Sequence, residues 1–262
     1  MQAAMCSIAW KPEPIEAVAP LVAAAGYSGI ELWGPHLDRF VAAAGSLDPL
    51  VAQLRTLGLT VPMVSAYFDL LNQPEESIAI ASRHLHYALR LGAPLVRMFT
   101  GGGGSATASE AAWATITDVL GELCDLARPY GIAFALETHD GHLHDTTPST
   151  LRLIHSVNAP NLGVNLDIHN LYARGEEPLW SLEQLWPWVR ILHLKSQRLV
   201  NGAPQVCGLA EGNLDYTAFL QALAVRGYGG AVSIEWFGSA PTQAAASELA
   251  FLRNVLGYTL TA

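Results

Sequence analysis

Eight short apolar segments alternate with helical patterns from one end of the chain to the other, and this alternation constrains the fold more than any other feature. The strand-like segments are Met5–Trp10, Gly29–Trp33, Thr60–Tyr67, Pro94–Phe99, Ile132–Glu137, Gly163–Asp167, Arg190–Leu194 and Ala231–Trp236. Most are rich in Val, Ile, Leu and Met, as strands buried on both faces of a parallel sheet are. Helical patterns lie at Ile15–Ala25, Asp48–Leu57, Pro74–Leu91, Ser109–Tyr130, Pro148–Val157, Leu179–Val189, Tyr216–Arg226 and Gln243–Leu256. Within the fourth, Trp113, Ile116, Leu120, Leu123 and Ala127 recur at spacings of three and four, which puts them on one helix face. Ser109, Thr147-Pro148 and Asn213-Leu214-Asp215 read as helix starts, and Gly26, Gly58, Gly92, Gly131 and Gly227 as helix ends. Eight regular βα units with no break in composition predict an α/β chain folded as one domain, a (β/α)8 TIM barrel over residues 1–262. A doubly wound open sheet is the rival, and the regularity of the eight units favours closure.

Composition narrows the function. Of 262 residues, 51% are hydrophobic and 14% charged, enough apolar material for a sizeable core. The net charge of −9 opposes binding to nucleic acid, which needs a basic face, and points to a small-molecule partner. Cys6, Cys124 and Cys207 are odd in number and widely spaced, which argues against a disulfide framework and fits a reducing cytoplasm. The first ten residues lack the basic and apolar regions of a signal peptide, and no apolar stretch approaches the roughly 20 residues of a membrane span. A soluble cytoplasmic protein without a membrane partner is expected.

Four of the apolar runs end on a ligand-type residue. IAFALE ends on Glu137, LGVNLD on Asp167, VRILH on His193 and AVSIE on Glu235. A charge at the end of a buried strand is costly unless it is compensated. A divalent cation would compensate all four. In a TIM barrel the chemistry lies where strands end and βα loops begin, so strands five to eight would aim these side chains at one point. Three carboxylates and one imidazole suit Mn²⁺ or Mg²⁺ best, with Co²⁺ or Zn²⁺ as alternatives. Four protein ligands leave positions of an octahedral ion open to vicinal substrate oxygens.

Further side chains share this end of the strands. His139 follows Glu137 by two residues and Lys195 follows His193 by two, so each shares its partner's side if the strand continues. Arg97 from strand four and Tyr67 from strand three can also face the pocket, and Glu211, ahead of strand eight, is a further candidate. Glu31, in GIELWG, lies either near the pocket floor or in a structural pair. Gly101–Gly104 lacks the flanking residues of a phosphate loop and reads as a flexible βα loop or lid. His142 and His144 extend a histidine-rich stretch, HDGHLHD, and read as loop residues.

At these residues the chain resembles the xylose isomerase-like TIM-barrel superfamily, which includes sugar isomerases, sugar-phosphate epimerases, endonuclease IV-type enzymes and 3-dehydroshikimate dehydratases. Within it, GIELWGPH, LETH, DTTPSTLRLI, PNLGVNLD, PWV, HLK and SIEWFG resemble the bacterial dehydratases of petrobactin-type siderophore biosynthesis. The resemblance implies metal ligands at Glu137, Asp167, His193 and Glu235, with substrate or acid–base roles for Tyr67, Arg97, His139 and Lys195. It implies conversion of a hydroxy-ketone, 3-dehydroshikimate, to protocatechuate. Loss of the proton beside the ketone gives an enediolate that a divalent cation can chelate. His139 is the first choice of base and Glu137 the second, and Arg97 or Lys195 would hold the substrate carboxylate.

One position departs from the dehydratase pattern. Where those enzymes carry histidine three residues after the aspartate, this chain has Asn170, with a histidine one place earlier at His169. Asn170 is kept as a substrate-binding candidate, and the segment Gln197–Gly208 matches poorly. A sugar or sugar-phosphate isomerase or epimerase would use the same metal set and return the proton instead of expelling hydroxide. An endonuclease is opposed by Asn170 and the net charge, and a noncatalytic barrel by the intact ligand set.

Overall fold

The computed structural model describes residues 1–261. Its strands are β1 (Gln2–Cys6), β2 (Gly29–Trp33), β3 (Met63–Ser65), β4 (Leu95–Met98), β5 (Ala133–Glu137), β6 (Leu162–Asp167), β7 (Val189–Leu194), β8 (Ser196–Val200), β9 (Ala203–Cys207) and β10 (Ala231–Ile234). The helices are α1 (Ile15–Ala24), α2 (Gly34–Ala44), α3 (Asp48–Thr56), α4 (Pro74–Leu91), α5 (Glu110–Ala127), α6 (Thr147–Val157), α7 (Ile168–Ala173), α8 (Pro178–Leu185), α9 (Tyr216–Val225) and α10 (Pro241–Leu256). Eight strands close in the order β1-β10-β7-β6-β5-β4-β3-β2, the barrel predicted from the alternation, while β8 and β9 form a separate two-stranded ribbon.

Contacts group the chain into two units. In the first, Met1–Pro62 together with Leu192 onward, β1 pairs in parallel with β10 (Ala4 with Ser233) and with β2 (Cys6 with Glu31). In the second, Met63–Ile191, β3, β4, β5 and β6 pair in sequence, with Glu137 opposite Asn165. Side chains of β4 and β6 are buried throughout, as expected for strands covered on both faces.

The helix boundaries have local causes. Ser109 caps α5 by accepting a hydrogen bond from the Ala112 amide at 3.2 Å. Thr146, one residue before the expected start, caps α6 in a reciprocal pair with Ser149. Asp215 caps α9 through Ala218. Gly92, which ends α4 at φ 68°, adopts the left-handed backbone that the sequence signal implied.

Three expectations need correction. The first strand lies at Gln2–Cys6, not Met5–Trp10; Ser7–Trp10 turns into a 3₁₀ segment. The Ser7 hydroxyl there accepts from the Trp33 amide at 2.9 Å and contacts His36 Nδ1 at 3.0 Å, and these bonds hold the turn against the end of β2. Helices α2 and α7 start directly at the ends of β2 and β6, in stretches where no helical pattern is expected. The Gly101–Gly104 segment is tied down: Gly101 N–H donates to His142 Nδ1 at 3.2 Å, and Ser105 donates to Asp145 from its amide and from its hydroxyl, the latter at 2.6 Å. These bonds oppose the hinge motion of a lid.

Gly163, near the start of β6, is packed against the turn that leads into β7. A Cβ there would lie 2.4 Å from Arg190 Cγ and 2.9 Å from the Trp188 carbonyl oxygen. The arginine stem can move, but the backbone oxygen belongs to the 3₁₀ turn Trp186–Trp188 and shifts only with the main chain. Gly163→Ala is therefore expected to destabilise the fold by about 1–3 kcal/mol, read as a lower urea midpoint. An unchanged midpoint would contradict this packing.

Candidate metal centre

In the Met63–Ile191 unit, two carboxylates are fixed where β5 and β6 end. The Thr138 hydroxyl donates to the Asp167 carbonyl and accepts from the Asp167 amide, both at 3.0 Å. This clamp ties the end of β5, which carries Glu137, to the end of β6, which carries Asp167. Asp167 also caps α7, its Oδ1 accepting from the Asn170 amide at 3.1 Å. Glu137 is 1% exposed and its Oε2 lies 2.7 Å from Arg97 Nη1. Arg97, itself 2% exposed, also donates to the Ala66 carbonyl and rests against the rings of Tyr67 and Phe99, at 4.7 and 4.4 Å. The expected substrate cation is thus engaged with a ligand candidate. Tyr67 is exposed on one side and reaches the site region through this contact.

His139 follows on a half-buried position. Its Nδ1 lies 2.7 Å from the Asp140 carbonyl oxygen, which as an acceptor fixes the proton on Nδ1 and leaves Nε2 basic. The edge of Phe99 packs against it with centroids 5.0 Å apart. Asn170 Nδ2 donates to the Thr138 carbonyl at 2.9 Å, so this residue braces the clamp that holds Asp167. His169 is buried on the same short helix.

His142 and His144 stack in a column with Phe99. Burial lowers His142 to about 4 and His144 to about 3, with neighbouring imidazoles adding to the shift. Both therefore fold as neutral rings. Their contribution to stability is fully present above the ordinary histidine value near 6.5 and is lost as pH falls through these lowered values. The urea midpoint is expected to fall as pH drops from 7 to 4, and to fall less in His144→Leu. Identical pH profiles for the two proteins would refute this.

In the other unit, His193 on β7 is fully buried, and its Nε2 lies 2.8 Å from Glu31 Oε2. That carboxylate also accepts from Ser233 Oγ at 2.7 Å. Of the two readings of Glu31, the structure gives the buried pair. Glu235 directly follows β10; its Oε1 lies 3.8 Å from His193 Nδ1 and its Oε2 3.1 Å from Lys195 Nζ. Lys195 also lies 5.7 Å from the Phe237 ring centroid. Lys11, just beyond the 3₁₀ turn, sits near Trp33 and Phe237, at 5.9 and 5.3 Å from their centroids. Glu211 is exposed, pairs with Arg198 at 3.9 Å and lines a cavity of about 430 Å³ with Cys207, Trp236 and Glu248.

Glu137, Asp167, His193 and Glu235 each offer a ligand atom, and these four atoms lie within 4.8 Å of one another; all four residues are buried. Arg97 and Lys195 each pair with one of these carboxylates, Glu137 and Glu235, and three carboxylates out of water still gain from a cation placed among them. The donor set of oxygens with one imidazole nitrogen therefore fits a divalent metal ion.

The fold and these ligands define a family. The chain belongs to the xylose isomerase-like TIM barrel family, whose sequence pattern matches residues 19–255. It is 28% identical over 247 residues to the 3-dehydroshikimate dehydratase of Bacillus anthracis, covering 87% of this chain and 88% of that protein. It is 23% identical over 224 residues to fructoselysine 3-epimerase of Escherichia coli O157:H7, covering 80% and 81%. Among solved structures, the probable 3-DHS dehydratase AsbF involved in petrobactin synthesis from Bacillus anthracis superposes with a TM-score of 0.89 at 26% identity, covering 97% and 99%. The IOLI protein, solved with a bound zinc atom, shares the fold at a TM-score of 0.81 and 22% identity, covering 99% and 98%. The relatives include a dehydratase, epimerases and an isomerase. Among the described residues no helix is long and apolar enough to cross a membrane, and the three cysteines are free and buried.

Proposed function

We propose that this chain is a single-domain, divalent-metal-dependent hydro-lyase of the cytoplasm that converts 3-dehydroshikimate to protocatechuate with loss of one water. The observation that carries the reading is the buried four-ligand cluster, and the choice of reaction is supported by similarity to a dehydratase along most of the chain. Glu137, Asp167, His193 and Glu235 would hold the ion, with Mn²⁺ or Mg²⁺ matching the oxygen-rich set best. Such an ion supplies Lewis-acid polarisation of neighbouring substrate oxygens.

The residues divide the remaining work. His139, with Nδ1 committed to the Asp140 carbonyl, takes the proton from the carbon beside the ketone at Nε2. The same proton then leaves with the departing hydroxyl as water, and a proton shift from the ring methylene to the ketone oxygen completes the aromatic ring. Lys195, partly exposed beside Phe237, holds the substrate carboxylate. Arg97 steadies Glu137 and Asn170 steadies Asp167, which replaces the direct substrate roles expected for them.

Purified protein with Mn²⁺ should turn over 3-dehydroshikimate, seen as rising ultraviolet absorbance of the catechol. Epimerisation of ketoses without dehydration would instead favour the second reading, a sugar epimerase, which the likeness to fructoselysine 3-epimerase supports. The carboxylate contact has its own test. Protocatechuate should bind more tightly than catechol, and Lys195→Met should reduce that preference about tenfold or more, the scale of a charge-assisted hydrogen bond. An unchanged preference would remove Lys195 from this role.

A further inference from the structure

We infer that Glu31 is a positioning residue that selects which nitrogen of His193 faces the metal. The inference rests on the metal reading above. Glu31 lies on β2, and its carboxylate reaches past β1 to Ser233 on β10 and to His193 on β7. Both contacts are short, 2.7 Å to Ser233 Oγ and 2.8 Å to His193 Nε2, and Glu31 and His193 are both 0% exposed.

A carboxylate accepts and does not donate, so the bond requires the proton on Nε2 of the neutral ring. The lone pair is then on Nδ1. That nitrogen lies on the side of Glu235, 3.8 Å from its Oε1, so the ring is turned with its basic nitrogen toward another ligand of the cluster. The Ser233 hydroxyl, by donating to the same Oε2, fixes the carboxylate as well as the ring. Glu31 thus acts through His193 without touching the ion. A buried carboxylate behind a ligand histidine raises the basicity of the ligating nitrogen and removes the wrong tautomer from competition.

The test uses the full chain with and without Mn²⁺. In metal-free protein carrying ¹⁵N-labelled histidine, long-range ¹H–¹⁵N spectra should show His193 as the Nε2–H tautomer. In Glu31→Leu this preference should be lost, and the Mn²⁺ dissociation constant, measured by water-proton relaxation, should rise about 10- to 100-fold. Glu31→Gln keeps an acceptor oxygen of the same shape without the charge, so it should retain the tautomer and weaken Mn²⁺ binding by less. Ser233→Ala should weaken it in the same direction, and serves with Glu31→Gln if Glu31→Leu does not fold. An Nδ1–H tautomer in the wild-type chain would overturn the inference, as would wild-type Mn²⁺ affinity in folded Glu31→Leu. Wild-type protein that binds no Mn²⁺ would sink the metal reading itself, and the tautomer of the metal-free chain would still decide the relation between Glu31 and His193.

Discussion

Glu235→Gln is expected to abolish metal-dependent turnover while leaving the fold intact. The residue continues β10, its amide donating to the Leu194 carbonyl at 2.9 Å, so its backbone is held by the barrel. Glutamine has the same shape and can still accept from Lys195, which keeps the local packing. It lacks the negative charge that would bind a divalent ion. Loss of Lewis-acid stabilisation worth several kcal/mol corresponds to a drop in kcat/KM of about 10³-fold or more. The measurements are Mn²⁺ stoichiometry and turnover on the same sample, with circular dichroism as the control for folding. Retained Mn²⁺-stimulated activity would remove Glu235 from the metal centre. The result applies to dehydration and epimerisation alike, so it tests the centre and not the choice of substrate.

Arg97→Leu should show the largest effect on stability, and the effect should depend on metal. Arg97 and Glu137 form an ion pair with both side chains out of water. Removing one member of such a pair leaves the other charge uncompensated, at a cost of about 3–5 kcal/mol. The contacts of the guanidinium with Tyr67 and Phe99 are lost as well. In metal-free protein the urea midpoint should therefore fall sharply. Added Mn²⁺ supplies a new counter-charge for Glu137, so it should raise the midpoint of the variant more than that of the wild type. Replacing Arg97 and Glu137 together by leucine should recover much of the metal-free loss, because no orphaned charge remains. A metal-free Arg97→Leu protein as stable as the wild type would show that Glu137 is not held by this pair.

The four ligand candidates were legible in the sequence because each closes an apolar run, and the end of a barrel strand is a position that a linear pattern can mark. Their neighbours were legible only as residue types. Arg97 was visible as a cation near the site, but its pairing with Glu137 depends on the register of β4 against β5, which residue spacing does not give. Glu31 was harder still, since its partners lie 162 and 202 residues away and nothing within GIELW distinguishes them. The start of α2 carried a usable sign in Pro35, a residue suited to the first turn of a helix. The ribbon of β8 and β9 was also readable: Asn201-Gly202, with φ of 53° and 79°, is the dipeptide that suits a tight hairpin turn. Its two strands pair antiparallel and lie outside the regular βα alternation, so the eight-unit pattern does not include them.

That ribbon has a consequence for how such a chain can change. Its strands pair with each other, from Ser196 with Cys207 to Val200 with Ala203, and form a sheet apart from the barrel. Residues can be added or removed at its tip without shifting the register of the strands that carry His193 and Glu235. The exposed side chains of Leu199 and Val200 are likewise free to vary without opening the core. The chain thus separates what must stay fixed for chemistry from what can drift, and a new specificity could be grafted onto the ribbon while His193 and Glu235 keep their places.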